Sequence, residues 1–235
     1  MNKPTMFVFL AALTATSGVS QINCLTIDDF TTGADSLPLK TPGTSAQVTQ
    51  TGTMLGSVRG TAFEIVPNGN PFLQPAEVDI DQGSGIPLVM TTGLKTFWRL
   101  EMEYGVDLKF AAYPLNYFPT GCDRFRVTFD SASQTVNFNV VVFYGPDYGH
   151  HAQDGINLDP SPYTYPFCVD FLFSNFAPGI PNDTPDFAGK GILSIDFVFQ
   201  SGSAIGGNEF AITKIETLDP SAAAMNPCAI VAPPL

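Results

Sequence analysis

Glu101 and Glu103 stand two residues apart within 96–104, with Arg99 in the same alternation, while Trp98, Leu100, Met102 and Tyr104 take the intervening positions. Side chains of an extended strand point to opposite faces in turn, so both carboxylates share one face with the guanidinium. Their Cα atoms then lie ~6.6 Å apart, and retaining glycoside hydrolases set two carboxyls ~5–5.5 Å apart. The pair is therefore compatible with polysaccharide hydrolysis. However, Glu101-Met102-Glu103 lacks the E-x-D-x-x-E spacing of sandwich-fold hydrolases. A solvated acidic face with Arg99 as its partner is the simpler reading.

A second concentration of polar chemistry fills 145–166: Asp147, Tyr148, His150, His151, Asp154, Asp159, Tyr163 and Tyr165. It reads as a long loop, and long loops in compact domains tend to be functional or disordered. Tyrosine rings stack on sugar rings while their hydroxyls hydrogen-bond, and carboxylates accept from sugar hydroxyls. Tyr148, His150, His151, Asp154, Tyr163 and Tyr165 are accordingly the expected ligand contacts. The alternative is a loop that only covers a sheet edge. His150 and His151 are the sole histidines. Neighbours on a strand point apart, so they do not share one zinc ion. There is no G-x-S-x-G turn for a nucleophilic serine. Asn182-Asp183-Thr184 is an N-glycosylation sequon in a Pro-rich loop.

The elements that position these residues are strands. Twenty-one glycines and twenty prolines punctuate short runs rich in Val, Ile, Phe and Thr, a pattern that opposes long helices. Phe125, Val127 and Phe129 alternate with polar residues, a short turn follows at 131–133, and Val136, Phe138, Val140 and Val142 resume the alternation. This reads as a hairpin whose second strand is buried on both sides, since Val141 and Phe143 follow Asn137 and Asn139 on the other face. With 46–54, 61–66, 76–81, 87–92, 96–104, 165–173, 191–199 and 209–218, about ten strands are expected. They suit an all-β, antiparallel two-sheet β-sandwich of the jelly-roll kind.

Residues 1–20 read as a signal peptide: Lys3, then an apolar run from Met6 to Leu13, then small residues at Gly18 and Ser20. The expected division is leader 1–20, a single sandwich domain 21–221 and a C-terminal tail 222–235. The apolar run is shorter than the ~20 residues a spanning helix needs, so no membrane insertion is expected. A secreted protein, extracellular or at the cell surface, follows. Loss of the leader leaves nine basic against 22 acidic residues, which makes nucleic acid a poor partner. An oxidising compartment favours disulfides among Cys24, Cys122, Cys168 and Cys228. Three connectivities are open, and the preferred one is Cys24–Cys228, joining two chain ends, with Cys122–Cys168.

Ile27-Asp28-Asp29-Phe30, the strand Gly121-Cys122-Asp123-Arg124-Phe125-Arg126-Val127, and the closing Ile195-Asp196-Phe197 and Asn208-Glu209-Phe210-Ala211-Ile212 together resemble galactose-binding-like β-jelly rolls. Carbohydrate-binding modules and many exported surface proteins share that fold. The resemblance spans most of the chain after the leader. It implies a structural calcium near the first and last strands, with oxygens from Asp28, Asp29 and Glu209. The chain departs from sugar-binding members in having a single tryptophan, Trp98. The leading expectation is a non-catalytic protein binding a glycan or extracellular matrix polymer. A self-assembling structural, surface-layer or fibre subunit, a homo-oligomer whose tail adds to a neighbour's sheet edge, is second. A polysaccharide-degrading enzyme is third.

Overall fold

The computed structural model describes residues 22–81, 87–106, 113–202 and 207–234; the expected leader lies outside them. The expected two-sheet antiparallel sandwich is what the chain forms, with fifteen strands among the described residues rather than ten. The eight-stranded sheet runs β15 (Ile230–Val231), β11 (Phe167–Leu172), β8 (Arg124–Ala132), β14 (Glu209–Leu218), β6 (Leu88–Thr92), β5 (Ala76–Ile80), β2 (Asp35–Leu39). In it, β1 (Thr26–Asp28) also pairs with β14. The seven-stranded sheet runs β12 (Ala177–Pro178), β10 (His151–Leu158), β9 (Val136–Tyr144), β13 (Ile192–Ser201), β7 (Trp98–Tyr104), β4 (Val58–Ile65), β3 (Thr44–Thr51). Among the described strands only β11 and β15 pair in parallel. Two short helices, α1 (Phe187–Lys190) and α2 (Pro220–Met225), and two single 3-10 turns, Leu55–Ser57 and Phe173–Asn175, complete the described elements. No helix among the described residues is long and apolar enough to cross a membrane.

Period-two alternation builds the core. Phe138, Val140, Val142 and Tyr144 of β9 and Ile195, Phe197 and Phe199 of β13 are fully buried, as are Phe125, Val127 and Phe129 of β8 facing them. The rings interlock within and between the sheets: Phe138 lies 4.8 Å from Phe171 of the facing sheet and 4.2 Å from Phe199 of its own, centroid to centroid.

Two expectations about the strands need correction. Residues 124–143 do not form a hairpin: β8 pairs β11 and β14, whereas β9 pairs β10 and β13 in the other sheet. Alternation marks which side of a strand faces the core but not which strand lies beside it. Phe129 therefore meets Phe138 across the interior, 6.2 Å away, instead of along a shared sheet. Nor is β9 sealed on both sides, since Asn137, Asn139, Val141 and Phe143 are half-buried.

The disulfides are Cys24–Cys122 and Cys168–Cys228, in place of the expected Cys24–Cys228 and Cys122–Cys168. The segment before β1 lies along 118–122, where Asn23 N–H donates to the Thr120 carbonyl. The C-terminal segment lies beside β11, with Ala232 N–H bonded to the Asp170 carbonyl. Each terminal segment is thus stapled to an interior part of the chain and not to the other end. Residues 220–231 supply α2 and a strand that extends the chain's own sheet. This segment covers Arg126, whose guanidinium holds Asp170 through two bonds of 2.7 and 2.8 Å and donates to the Asn226 carbonyl at 2.6 Å.

A second buried ion pair ties the sheets together at β1. Arg59 on β4 reaches Asp28 on β1 at 2.5 Å and the Gln50 side chain at 2.8 Å, and Tyr104 donates its hydroxyl to Asp28 at 2.8 Å.

Candidate functional site

The outer face of the seven-stranded sheet gathers most of the polar chemistry. Because Phe138, Val140 and Val142 turn inward, Asn137, Asn139, Val141 and Phe143 turn out, and register sets their neighbours. Phe143 stands between His151 and Ser194, Val141 between Gln153 and Asp196, Asn139 between Gly155 and Val198, and Asn137 between Asn157 and Gln200. On β7 the rows continue as Glu103 opposite Asp196, Glu101 opposite Val198, and Arg99 opposite Gln200. Successive rows are ~6.6 Å apart along the strands and ~4.8 Å between them. Amide and carboxylate groups thus form a regular grid.

One end of the grid is aromatic. The Phe143 ring lies 6.2 Å from Tyr148 and 5.6 Å from His151, centroid to centroid. Tyr148 is anchored by its hydroxyl, which donates to the Gly105 carbonyl at 3.1 Å. Gly105 has φ of 88°, and a Cβ there would meet the Leu193 carbonyl at 2.2 Å. The tight turn after β7 that presents this acceptor therefore needs glycine.

Glu101, Glu103 and Asp196 each place one carboxylate oxygen within 4.8 Å of the others, and Arg99 pairs with Glu101 at 2.9 Å. Burial, and then the charges of Glu103 and Glu101, push the Asp196 carboxyl up to about 8, against a smaller opposing pull from Arg99. At neutral pH Asp196 is thus largely protonated, a donor beside acceptors. The sequence expectation for β7 holds in geometry, with Glu101, Glu103 and Arg99 on one face. It omitted Asp196, whose signal lay in the alternation of Ser194, Asp196, Val198 and Gln200.

The region 145–166 is not a loop throughout, because β10 runs through it. Its inward positions include Ala152, Asp154 and Leu158, which are buried, and the polar composition of the strand concealed it. Of the six expected contacts, Tyr148 and His151 reach the outer face. Asp154 lies opposite Val140 on the core side, fully buried. Its Oδ1 accepts from Gly155 N–H at 2.8 Å, and burial pushes its carboxyl up to about 6. His150 faces Asp183 at 3.0 Å, sharing that carboxylate with the Tyr144 hydroxyl and Lys190. These partners hold Asp183 well below the usual carboxylate range. Tyr163 and Tyr165 flank Phe167 at the edge of the other sheet, and Tyr165 donates to the Ala132 carbonyl. The six do not form one site.

The expected calcium ligands do not converge either. Asp28 serves Arg59 and Tyr104, Asp29 accepts from Thr31 at 2.7 Å, and Asp28 pairs at Ile215 of β14, six residues beyond Glu209. Six residues of strand span ~20 Å, so these residues do not fit a shared ion.

The raised carboxyls have a measurable consequence. Asp154 and Asp196 hold their protons more tightly folded than unfolded, so the native state binds more protons above the unfolded carboxylate value of ~3.9. Stability then falls as pH rises through about 6 for Asp154 and about 8 for Asp196. The lowered carboxyls Asp29, Asp159 and Asp183 act with the opposite sign, in the acid range below this window. Calorimetry from pH 5 to 8.5 is expected to record a decline on the order of 5 kcal/mol, most of it from Asp196, and Asp196→Asn should flatten its upper part. A melting temperature that rises over this range in the unmodified chain contradicts the assignment.

No protein-family model matches the chain, and no curated protein matches it either. Among solved structures it is similar to the family 11 carbohydrate-binding module of the cellulosomal cellulase Lic26A-Cel5E of Clostridium thermocellum. The identity is 12%, over 85% of this chain and 96% of the module, with a TM-score of 0.40. It is similar also to the Clostridium thermocellum family 11 module in complex with a β-1,3-1,4-mixed-linked tetrasaccharide, at 13% identity over 85% and 98% of the two chains, with a TM-score of 0.39.

Proposed function

We propose that this chain is an exported, non-catalytic β-sandwich that binds a glycan or similar polyhydroxylated polymer on the outer face of its seven-stranded sheet. The observation that carries the reading is one continuous sheet face with an aromatic end, Phe143, Tyr148 and His151, leading along the strands into rows of amides and carboxylates at Glu103, Asn139, Glu101, Asn137 and Gln200. Apolar ring faces of a sugar pack on aromatics, while its hydroxyls exchange hydrogen bonds with amide and carboxylate groups. Protonated Asp196 adds a donor among acceptors. Two disulfides suit the oxidising surroundings of an exported protein.

A glycan array with the disulfide-bonded chain, run with and without calcium, tests this reading. Binding to a restricted set of neutral polysaccharides is expected. On the best of them, Phe143→Ala and Asn139→Ala should each weaken affinity by roughly 10- to 100-fold without changing the melting temperature by more than a few degrees. Uniform background across all glycans in both conditions, or variants that bind as the parent does, would refute it.

A further inference from the structure

The ends of the sheets are guarded unequally. A sheet edge carries unpaired backbone N–H and C=O groups, and proteins blunt edges with proline, charge, bulges or brevity. Edge strands β15 and β12 are two residues each, β12 ends in Pro178, and Pro233 and Pro234 follow β15. Edge strand β2 carries Pro38 at its fourth position and Asp35 at its first. The remaining edge, β3, has none of these protections. It runs eight residues, Thr-Ser-Ala-Gln-Val-Thr-Gln-Thr, in unbroken register with β4, and among the described strands only β4 hydrogen-bonds to it.

The segment that carries it is equally bare of charge, although Glu64 of β4 stands opposite Ser45 at one end. The chain has 32 acidic and basic residues in 235, yet none falls between Lys40 and Arg59. On the core side of the edge, Ala46 and Val48 are only partly buried against the hydrophobic interior. Strand β2 of the other sheet lies alongside β3, yet these apolar side chains at the rim stay partly open.

We propose that β3 is a pairing edge for a second copy of this chain, with the two β3 strands antiparallel about a two-fold axis and the seven-stranded sheets joined into one of fourteen strands. The charge distribution selects this occupant. Two molecules of net charge −12 repel, so contact between copies is favoured where the chain is uncharged. A charged partner of another kind would find no charge on the strand itself to complement. A two-fold axis presents the same segment to itself, and antiparallel pairing satisfies the free row on both strands. This inference rests on the edge and does not depend on the glycan reading.

Sedimentation velocity of the disulfide-bonded chain, from low to high micromolar concentration, is expected to resolve a concentration-dependent dimer. Thr49→Pro interrupts the edge, and the double variant Gln47→Lys/Thr49→Lys sets like charges against each other across the axis while leaving the pairing with β4 intact. Either should weaken dimerisation by roughly tenfold or more. The lysine variant carries the test if proline impairs folding, and circular dichroism verifies its fold. A parent chain that stays monomeric throughout, or a dimer that persists unchanged in the folded lysine variant, overturns the proposal.

Discussion

Arg59→Met is expected to destabilise the fold by about 3–5 kcal/mol, lowering the melting temperature by roughly 10–15 °C for a domain of this size. Arg59 is fully buried and Asp28 nearly so. Removing the cation leaves a carboxylate whose remaining partners are the Tyr104 hydroxyl and Phe30 N–H. Burying that charge without its counterion is the costly step, far more than the loss of contact area. The double variant Asp28→Asn/Arg59→Met should therefore recover part of the loss, because no ionised group remains to be desolvated. Thermal and urea unfolding of the three proteins decides the matter. An Arg59→Met protein within 1 kcal/mol of the parent would mean that the pair does not anchor β1.

Loss of the Cys24–Cys122 bridge, through Cys24→Ser/Cys122→Ser, is expected to cost about 4–5 kcal/mol by restoring freedom to the unfolded chain across a separation of 98 residues. The Cys168–Cys228 pair, 60 residues apart, should cost slightly less by the same argument, and its removal should also loosen β15 from β11. Non-reducing peptide mapping offers a direct check. Fragments linking Cys24 to Cys122 and Cys168 to Cys228 are expected, and a Cys24–Cys228 fragment would contradict the fold.

What the sequence made legible follows from what alternation can encode. Residues 98–104 alternate apolar and polar side chains and form β7 over that span, alternately buried and half-buried, whereas 209–218 forms β14 as expected although its alternation breaks at an irregularity between Ala211 and Lys214. Glu101 and Glu103 were placed on one face because two-residue periodicity fixes faces without any partner. Neighbours are another matter. The pairing of β8 with β11, and so the position of Cys168 beside the C-terminal segment, depends on contacts between residues remote in sequence that no local pattern records. Strand β10 was hidden because Asp154 and Gly155 occupy its middle, residues that strands disfavour. The ligand contacts assigned to 145–166 scattered for this reason: once a strand runs through the segment, successive side chains must diverge.

The position of β14 has a bearing on how the molecule is made. It lies at the middle of the larger sheet, bonded to β8 on one side and to β6 and β1 on the other. Until residues 209–218 emerge from the ribosome, that layer exists as separate pieces with nothing to join them. Synthesis proceeds from the amino end, so native collapse waits for nearly the whole polypeptide. Such a delay would suit the export proposed above, in which a chain threads a translocation pore in extended form and acquires its shape only on the far side.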